Sequence, residues 1–389
     1  MSASSNIVPS ESRLFKPIKI GNSQLEHRIA LAPLTRYRND DDNVALPLMQ
    51  KYYADRASTP GTLVITEATG VAHIEEGEHH LPGFVSDKQV EAWKKVIDGV
   101  HANGSVYFQQ IWGMGRASDA SYIKERGFKY RSSSNVPMSA DHPAPEAMTE
   151  EEIQETIQAF VDTAKRVIGA GGDGVEIHSA HGYLLDQFLS DTVNQRTDQW
   201  GGSIENRARL TLTVVKKVVE AVGAEKVSIR LSPFASFQGS EKNDIHELYT
   251  YLITELKKIG NLAYLSLVEA VGDPAALLTG KEAANSDKTL DFILELWNNQ
   301  SPVIVAGAYK PESAAWALEQ HYQKWDVLVA FGRLFISNPD LVYRIKNGLE
   351  LNKYNRATFY IHMSNEGYND YPFSEEFTKA HPEAITALA

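Results

Sequence analysis

The chain has 389 residues, of which 43% are apolar and 23% charged, so it is long enough to bury a large core and too apolar to be disordered. Its 38 Lys and Arg against 50 Asp and Glu give a net charge of −12, which argues against a nucleic-acid-binding or anionic-membrane surface. The absence of Cys excludes a disulfide scaffold, a thiolate nucleophile, an iron–sulfur cluster and a Cys-ligated zinc site. No segment approaches the roughly 20 apolar residues of a membrane span, and the polar start does not have the pattern of a signal peptide, so we expect a cytoplasmic protein.

Short β-branched segments alternate with amphipathic helical patterns along almost the whole chain, which is typical of a parallel sheet whose strands are joined by helices. Before the first strand, residues 14–28 predict a β-hairpin with Gly21-Asn22 at its turn. Each strand candidate is nearly continuous in apolar residues, as expected of strands covered on both faces. The strands are predicted over 28–33, 62–67, 105–111, 174–179, 227–232, 263–268, 302–307 and 326–332. The helices are predicted over 46–57, 87–102, 150–169, 205–222, 245–259, 288–299, 312–324 and 339–347.

Eight strands, each followed by a helix, predict an α/β fold of the (β/α)8 TIM-barrel type, with an open doubly wound sheet as the alternative. Barrel closure explains why no strand candidate has the polar character of a sheet edge. We expect residues 1–389 to form a single domain, with the hairpin capping the N-terminal mouth. Residues 112–148 exceed what a barrel connection needs, and we expect this long loop after strand three to lie at the active-site mouth.

In a barrel the active site lies at the carboxyl ends of the strands, so the residues there are the candidates for binding and catalysis. Gly307 and Gly332 end strands seven and eight, whose following loops commonly bind phosphate, and Arg333 adds a bidentate donor. This pattern favours a phosphorylated ligand or cofactor. The alternative is that both glycines only permit tight turns and that Arg333 is solvated.

His178, His181 and Tyr183 lie within six residues at the end of strand four. Two imidazoles can donate hydrogen bonds to one oxygen, and a phenol can deliver a proton near neutral pH. A metal site and buried structural histidines are the competing interpretations, but nearby guanidiniums at other strand ends would oppose a cation, so we expect no metal. Three histidines and three glutamates between 73 and 80 are a second metal candidate, which we interpret as a solvated loop.

Two further polar residues stand on predicted strands. Arg230 lies in an otherwise apolar strand, where an unpaired charge is costly, so it implies an anionic or electron-rich partner. Gln110 has an amide that can both donate and accept a hydrogen bond. Together they match the pyrimidine edge of a flavin, because reduction builds negative charge at that end of the ring.

Several long motifs run in order through nearly the whole chain, among them APLTRYR at 32–38, GVEIHSAHGYLLDQFLS at 174–190, RTDQWGGSIENRAR at 196–209 and AFGRLFISNPDL at 330–341. In these motifs the chain resembles the Old Yellow Enzyme family of flavin oxidoreductases, or ene-reductases, and its fungal and yeast-type members most. The resemblance implies a single FMN-binding barrel that uses NADPH or NADH as its reductant. It also implies a small-molecule α,β-unsaturated substrate, no nucleic-acid or membrane partner, and a monomer or a dimer.

The resemblance assigns roles to the candidate residues. His178 and His181 would hold the carbonyl or nitro oxygen of the substrate, and Tyr183 would protonate the carbon alpha to it. The substrate pocket would be shaped by Trp112, Phe359 and Tyr360. The FMN contacts would come from Pro33, Leu34, Thr35, Ala68, Gln110 and Arg230 around the ring, and from Gly307, Gly332 and Arg333 at the phosphate.

The implied reaction is ping-pong: NAD(P)H reduces FMN and leaves, and an enone, enal or nitroalkene then receives a hydride from flavin N5 and a proton from Tyr183. Three departures from the family pattern leave the substrate open. His181 stands where many members have Asn, Ala68 stands where Gly is common, and the loop over 70–83 lacks an aromatic residue often found on that pocket wall. The remaining alternatives are a reductase or isomerase of a secondary-metabolite pathway, or a metal-dependent hydrolase or lyase that uses the histidine pair. Tyr183 favours net reduction.

Overall fold

The computed structural model describes residues 7–274 and 288–382, and its centre is a closed barrel of eight parallel strands. The strands are β1 (Ile18–Ile20), β2 (Ser23–Leu25), β3 (Ile29–Leu31), β4 (Leu63–Ile65), β5 (Thr69–Gly70), β6 (Val106–Trp112), β7 (Arg131–Ser132), β8 (Glu146–Ala147), β9 (Gly174–Ser179), β10 (Val227–Leu231), β11 (Tyr264–Val268), β12 (Val303–Ala306) and β13 (Val327–Phe331). The barrel consists of β3, β4, β6 and β9 to β13, and it closes where β13 pairs with β3, with Val329 opposite Ile29. The TIM-barrel prediction is therefore confirmed.

Helices connect the barrel strands. They are α1 (Pro47–Arg56), α2 (Asp87–Ala102), α3 (Ala120–Glu125), α4 (Glu150–Gly169), α5 (Leu184–Leu189), α6 (Ile204–Val222), α7 (Ile245–Ile259), α8 (Asp291–Trp297), α9 (Pro311–Trp316), α10 (Arg333–Ser337), α11 (Leu341–Asn347) and α12 (Glu375–Ala380). The start of α4 follows from a capping box, in which the Thr149 side chain accepts from the Glu152 amide and the Glu152 carboxylate accepts from the Thr149 amide. None of the described helices is long and apolar enough to cross a membrane.

Some predicted boundaries differ from the structure. The helix predicted over 312–324 ends as an α-helix at Trp316 and continues as a π-helical turn over Ala317–His321. The last predicted helix begins at Leu341 rather than Pro339, because the Asn338 side chain donates to the Leu334 carbonyl instead of capping a helix. The segment 112–148 is not an irregular loop, since it contains α3 and the β7–β8 pair and begins inside β6.

The antiparallel hairpin of β1 and β2 lies against one end of the barrel interior. Ile18, Ile20 and Leu25 of the hairpin belong to the same buried cluster as Leu63 and Val106 at the starts of β4 and β6. The apolar side chains of the hairpin therefore close the N-terminal end of the barrel. This leaves the carboxyl ends of the strands as the open end, where a site can form.

His27 lies between the hairpin and β3 and is buried, with Nδ1 accepting from the Ile29 amide and Nε2 lying 3.0 Å from the Thr62 hydroxyl. Burial lowers the pKa of His27 from 6.5 to about 4, so the folded protein holds it neutral. Between these two values the unfolded chain binds the additional proton, and stability is therefore lost as the pH falls. We expect His27 to account for about 2 kcal/mol of the loss in the free energy of unfolding between pH 8 and pH 5. Urea denaturation of wild type and His27→Gln at both pH values measures this contribution, and an equal loss in both proteins would contradict it.

Candidate active site

The carboxyl ends of the barrel strands surround a cavity of about 850 Å³, within the range of ~300–1,000 Å³ that small-molecule sites occupy. Every residue that the sequence predicted for the cofactor, the substrate or catalysis lines this cavity. The predicted cofactor residues there are Pro33, Leu34, Thr35, Ala68, Gln110, Arg230, Gly307, Gly332 and Arg333. The predicted substrate and catalytic residues there are Trp112, His178, His181, Tyr183, Phe359 and Tyr360.

Three neighbouring strands carry a buried polar network at the cavity floor. In the barrel register Gln110 of β6 lies opposite Glu176 of β9, and Arg230 of β10 lies opposite His178. The Gln110 amide nitrogen donates to a Glu176 carboxylate oxygen at 2.6 Å. The Arg230 Nε is buried and has no hydrogen-bond partner among the described residues, so the guanidinium can bind a further acceptor.

Glu176 is a site residue that the sequence reasoning missed. Its carboxylate is fully buried, and burial raises its pKa while the Arg230 charge and the Gln110 hydrogen bond oppose that rise. The sequence does contain a signal for it, since this carboxylate stands in an apolar strand two residues before His178. A carboxylate on a buried strand needs a polar partner, and such a pair marks a candidate site. Since Glu176 accepts from Gln110 and interacts electrostatically with Arg230, it orients the two groups that a flavin pyrimidine would meet.

The wall next to this floor comes from the residues that follow β3 and β4. Pro33, Leu34 and Thr35 begin two residues after the end of β3 and are half-buried where they line the cavity. Ala68 is 3% exposed and belongs to a small apolar cluster with Leu81, Trp112 and Met114. The wall is therefore mostly apolar with one hydroxyl, which suits a planar aromatic ring system.

Two glycine turns form another part of the cavity wall, Gly307 after β12 and Gly332 after β13. A Cβ on Gly332 would lie 3.1 Å from Cδ2 of Leu34, and a Cβ on Gly307 would lie 2.5 Å from a Glu269 carboxylate oxygen. A side chain at either position would therefore force Leu34 or Glu269 to move. The tight packing brings the backbone itself to the wall, where its N–H groups can serve as donors.

Positive side chains gather near these turns. Arg333 begins α10, and its guanidinium carbon lies 5.8 Å from the centre of the Tyr354 ring and is in no ion pair with a described residue. Lys310, three residues after Gly307, and Arg356 also line the cavity, and the sequence reasoning missed both because neither lies at a strand end. Arg333 and Lys310, each close in sequence to a glycine turn, make this part of the cavity suited to a phosphate.

The histidine pair lies at the end of β9 and in the turn that follows. The two rings meet edge to face with 5.9 Å between their centres, and the His181 amide donates to the Ser232 hydroxyl at 2.7 Å. The Nδ1 of His178 and the Nε2 of His181 are buried without a hydrogen-bond partner in the described structure. Burial and the Arg230 charge hold both pKa values well below their usual range, so both imidazoles are neutral, and a neutral imidazole still has one N–H to donate.

Tyr183 lies beside the histidine pair. Its ring centre is 4.3 Å from that of Trp112 and 5.0 Å from that of His178. Burial, more than any other cause, raises the pKa of Tyr183 to about 12. The hydroxyl therefore carries its proton at neutral pH and is able to donate it.

The outer rim of the cavity combines residues from two distant parts of the chain. Phe359 is buried, whereas Tyr360 is 59% exposed. Tyr37 packs edge-on against Tyr360, with 5.8 Å between the ring centres, and it stacks with His362 at 5.4 Å. Tyr37 and His362 were missed from the sequence, although Tyr37 stands inside the APLTRYR motif.

Two buried arginines fasten the tail segment, residues 358–367, to the loop after β3. The Arg36 guanidinium donates to the carbonyl oxygens of Phe359 and Gly367. The Arg38 guanidinium donates to the carbonyl oxygens of Arg36, Thr358, Phe359, Ser364 and Glu366. The tail segment is thus held at the cavity mouth through its backbone.

The loop over residues 73–80, predicted to be solvated, is partly buried instead. Glu75 pairs with Arg131 at 3.2 Å and Glu76 pairs with Arg126 at 3.3 Å, and both carboxylates are almost fully buried. The prediction was wrong for these two glutamates because their partners come from the 112–148 segment, which local sequence does not reveal. In the part of the chain that the structure describes, no three His, Asp or Glu side chains are grouped as metal ligands.

A buried ion pair supports the turn that carries His181. The Lys242 Nζ lies 2.9 Å from an Asp186 carboxylate oxygen with both side chains fully buried, and the other oxygen accepts from the Gly182 amide at 2.9 Å. We expect Lys242→Met to lower the free energy of unfolding by about 3–5 kcal/mol, because it leaves a buried carboxylate without its counter-charge. Urea denaturation measures the loss, and the double variant Lys242→Met/Asp186→Leu should recover part of it. A single variant as stable as wild type would contradict the expectation.

The residues that line the cavity define a class of protein. Arg230, with an unpartnered Nε, and Gln110 provide donors at the floor, an apolar wall lies beside them, and two glycine turns with Arg333 provide a phosphate site. These groups fit FMN, and an α/β barrel with this site is an FMN-dependent oxidoreductase. The chain belongs to the NADH:flavin oxidoreductase / NADH oxidase family, whose family model matches residues 13–352.

Comparisons with known proteins agree with this assignment. The structure is similar to the crystal structure of Old Yellow Enzyme from Pichia sp. AKU4542, with a TM-score of 0.85 and 38% identity over 94% of this chain and 95% of that one. The chain is 46% identical to the chanoclavine-I aldehyde reductase fgaOx3 of Penicillium roqueforti, over 95% of this chain and 98% of that protein. It is 44% identical to the NADP-dependent oxidoreductase lnbE of Aspergillus flavus, over 96% and 100% of the two chains. It is also 44% identical to a probable inactive reductase, easA, of Epichloe festucae var. lolii, over 97% and 100%.

Proposed function

We propose that this FMN oxidoreductase reduces carbon–carbon double bonds conjugated to a carbonyl or nitro group, with NADPH or NADH as the reductant. The observation that carries the proposal is that two neutral histidines with unpartnered ring nitrogens, His178 and His181, line the cavity beside the protonated Tyr183, whose ring centre lies 5.0 Å from that of His178. Two donors for one oxygen and a proton donor beside them are what such a substrate requires. All three side chains line the cavity that fits FMN.

Each group then has a defined task. Bound FMN supplies the hydride chemistry, and it would be held by Thr35, Gln110 and Arg230 at the ring, by Pro33, Leu34 and Ala68 along it, and by Gly307, Gly332 and Arg333 at the phosphate. His178 and His181 hold the substrate oxygen, which draws electrons from the double bond. Tyr183 gives its proton to the carbon alpha to the carbonyl or nitro group. Trp112, Phe359 and Tyr360 shape the space for the rest of the substrate.

The segment 112–148 forms a wall of this substrate space in the proposal. Trp112, Met114 and Ala117 of that segment line the cavity. Its Arg126 and Arg131 pair with glutamates of the 73–80 loop, which also borders the mouth. Changes in this segment should therefore alter which substrates enter.

An unsaturated aldehyde of a secondary pathway is the physiological substrate class that we infer. Two similar proteins are named aldehyde reductases, fgaOx3 of Penicillium roqueforti and FrzD of Cladobotryum sp. Tyr183 supports net reduction rather than isomerisation, because a proton donor is present to complete the addition of hydrogen. Other relatives are named probable inactive reductases or dehydrogenases, so turnover needs a direct measurement.

Anaerobic spectroscopy tests the proposal. We expect purified protein to be yellow, NADPH to bleach its flavin absorbance, and 2-cyclohexenone or cinnamaldehyde to restore it. Product analysis should find the saturated ketone or aldehyde. Flavin that stays reduced with enones, enals and nitroalkenes alike would contradict the proposed reaction, and a colourless protein whose activity requires a divalent metal would favour the hydrolase or lyase alternative.

A further inference from the structure

A carboxylate without a counter-charge lies at the mouth of the cavity. Glu78 is half-buried and lines the cavity together with Tyr37, Tyr360 and His362. It accepts a hydrogen bond from the Tyr37 hydroxyl at 2.7 Å. Glu78 is thus placed at the outer end of the proposed substrate space, with its charge directed toward the aromatic rim.

The three glutamates of the 73–80 loop differ in their partners. Glu75 and Glu76 each form an ion pair with an arginine and are almost fully buried. Glu78 forms no ion pair with a Lys, Arg or His among the described residues. Glu75 and Glu76 therefore stabilise the fold through their ion pairs, whereas the Glu78 carboxylate lies unpaired at the cavity. Its partial desolvation there makes the unpaired charge costly.

Neither arginine of the loop after β3 neutralises this charge. Arg36 and Arg38 donate to backbone carbonyl oxygens, and neither contacts Glu78. Burial lowers the pKa of His362, which stacks on Tyr37, so this imidazole is neutral at neutral pH. The mouth of the cavity consequently has negative charge that a ligand could balance.

Aromatic rings surround the same position. Tyr37 and Tyr360 meet edge to face at 5.8 Å and both line the cavity, and the Tyr37 ring also stacks on His362. Burial is the main cause of the raised pKa values of Tyr37 and Tyr183, and the Glu78 charge adds to both, as expected of a carboxylate that lines the same cavity. A carboxylate beside tyrosine rings is an arrangement that recognises organic ammonium groups.

We propose that the preferred substrate is an unsaturated aldehyde or ketone that carries a protonated amine, which Glu78 and the rings of Tyr37 and Tyr360 bind. The inference rests on the proposed function, since it places the carbonyl oxygen at His178 and His181 and the ammonium group at the outer end. It extends that function by naming a charge on the substrate. A neutral substrate gains nothing from Glu78, and an anionic one is repelled by it.

Binding of two matched aldehydes to oxidised, FMN-loaded protein tests this inference without turnover. At pH 7 para-(dimethylaminomethyl)cinnamaldehyde is cationic, and para-isobutylcinnamaldehyde has nearly the same shape without the charge. Isothermal titration calorimetry gives the Kd of each for wild type, Glu78→Gln and Asp41→Asn. Glu78→Gln removes the charge and keeps an acceptor for the Tyr37 hydroxyl. Asp41→Asn removes an exposed charge elsewhere in this region, 3.7 Å from His80.

We expect wild type to bind the cationic aldehyde more tightly, and this preference to fall about tenfold or more in Glu78→Gln but less than about twofold in Asp41→Asn. If Glu78→Gln does not retain FMN, Glu78→Asp is the second variant. It keeps the charge, so we expect its preference for the cationic aldehyde to be at or near that of wild type. No preference in wild type, or an equal fall in the Gln and Asn variants, overturns the inference. Because the titration contains no reductant, a failure to reduce either aldehyde in a separate NADPH assay contradicts the proposed function alone.

Discussion

Replacing Tyr183 with phenylalanine is expected to slow enone reduction by on the order of 10²-fold or more, while NADPH still reduces the flavin. In the proposed reaction its hydroxyl is the proton donor, and the pKa of about 12 keeps that hydroxyl protonated at neutral pH. Reduction of the flavin by NADPH requires no proton from this residue. Stopped-flow measurement of the two half-reactions separates the effects, since only the oxidative half-reaction with the enone should slow.

The matched control is Tyr343→Phe, which removes the same hydroxyl from a helix where the ring packs against Phe377. This variant should behave as wild type in both half-reactions. Equal oxidation rates in wild type and Tyr183→Phe would remove Tyr183 from the role of donor. A parallel slowing of both half-reactions would instead indicate that the substitution disturbs the cofactor site.

Removing both imidazoles in His178→Ala/His181→Ala is expected to lower kcat/KM for enones by about 10²–10³-fold or more, the cost of losing donors to a developing oxyanion. Both histidines are neutral and line the cavity, and each has a buried ring nitrogen without a hydrogen-bond partner among the described residues. Phenols, whose oxygen resembles that of the substrate, should bind more weakly by a similar factor. Titration of the flavin absorbance with a phenol gives this affinity independently of turnover.

His181→Asn serves as the control for the histidine pair, because an asparagine amide is also a donor. We expect this variant to retain most of the enone activity and much of the phenol affinity. Phenol binding that persists unchanged in the double alanine variant would exclude the pair from holding the substrate oxygen. Flavin content should be measured in each variant, so that loss of FMN is not mistaken for loss of substrate binding.

Strand patterns and strand ends were sufficient to predict the barrel and the cavity residues that lie at its strand ends, whereas Phe359 and Tyr360 were predicted from the family resemblance. Gln110, His178 and Arg230 each lie where a parallel strand runs out, and closure of the barrel brings such residues together whatever their separation in sequence. The period of the apolar residues also predicted the full extents of α2, α4 and α7. These features depend on local sequence and on one topological rule, so the sequence contains them.

The outer rim could not be predicted in the same way. Tyr37 and His362 meet only because Arg36 and Arg38 hold the tail segment against the loop after β3, and no local pattern encodes that contact. The partners of the buried glutamates in the 73–80 loop likewise come from a distant segment. A charge pattern along the chain therefore predicted one solvated loop for all three glutamates, whereas tertiary contacts bury Glu75 and Glu76 in ion pairs and leave Glu78 half-buried.

The attachment of the tail segment has an evolutionary consequence. Arg36 and Arg38 bind carbonyl oxygens, which every amino acid possesses, so these hydrogen bonds do not depend on the exposed side chains of Tyr360 and His362. Phe359 differs, because its ring is buried and lies 5.8 Å from the Arg36 guanidinium carbon. Tyr360 and His362 can therefore mutate with little penalty in folding, while the loop that borders the flavin site stays fixed by its arginines. Selection can thus change what enters the cavity separately from the chemistry inside it, and a laboratory library restricted to positions 360 and 362 should yield folded, FMN-containing variants with altered substrate ranges.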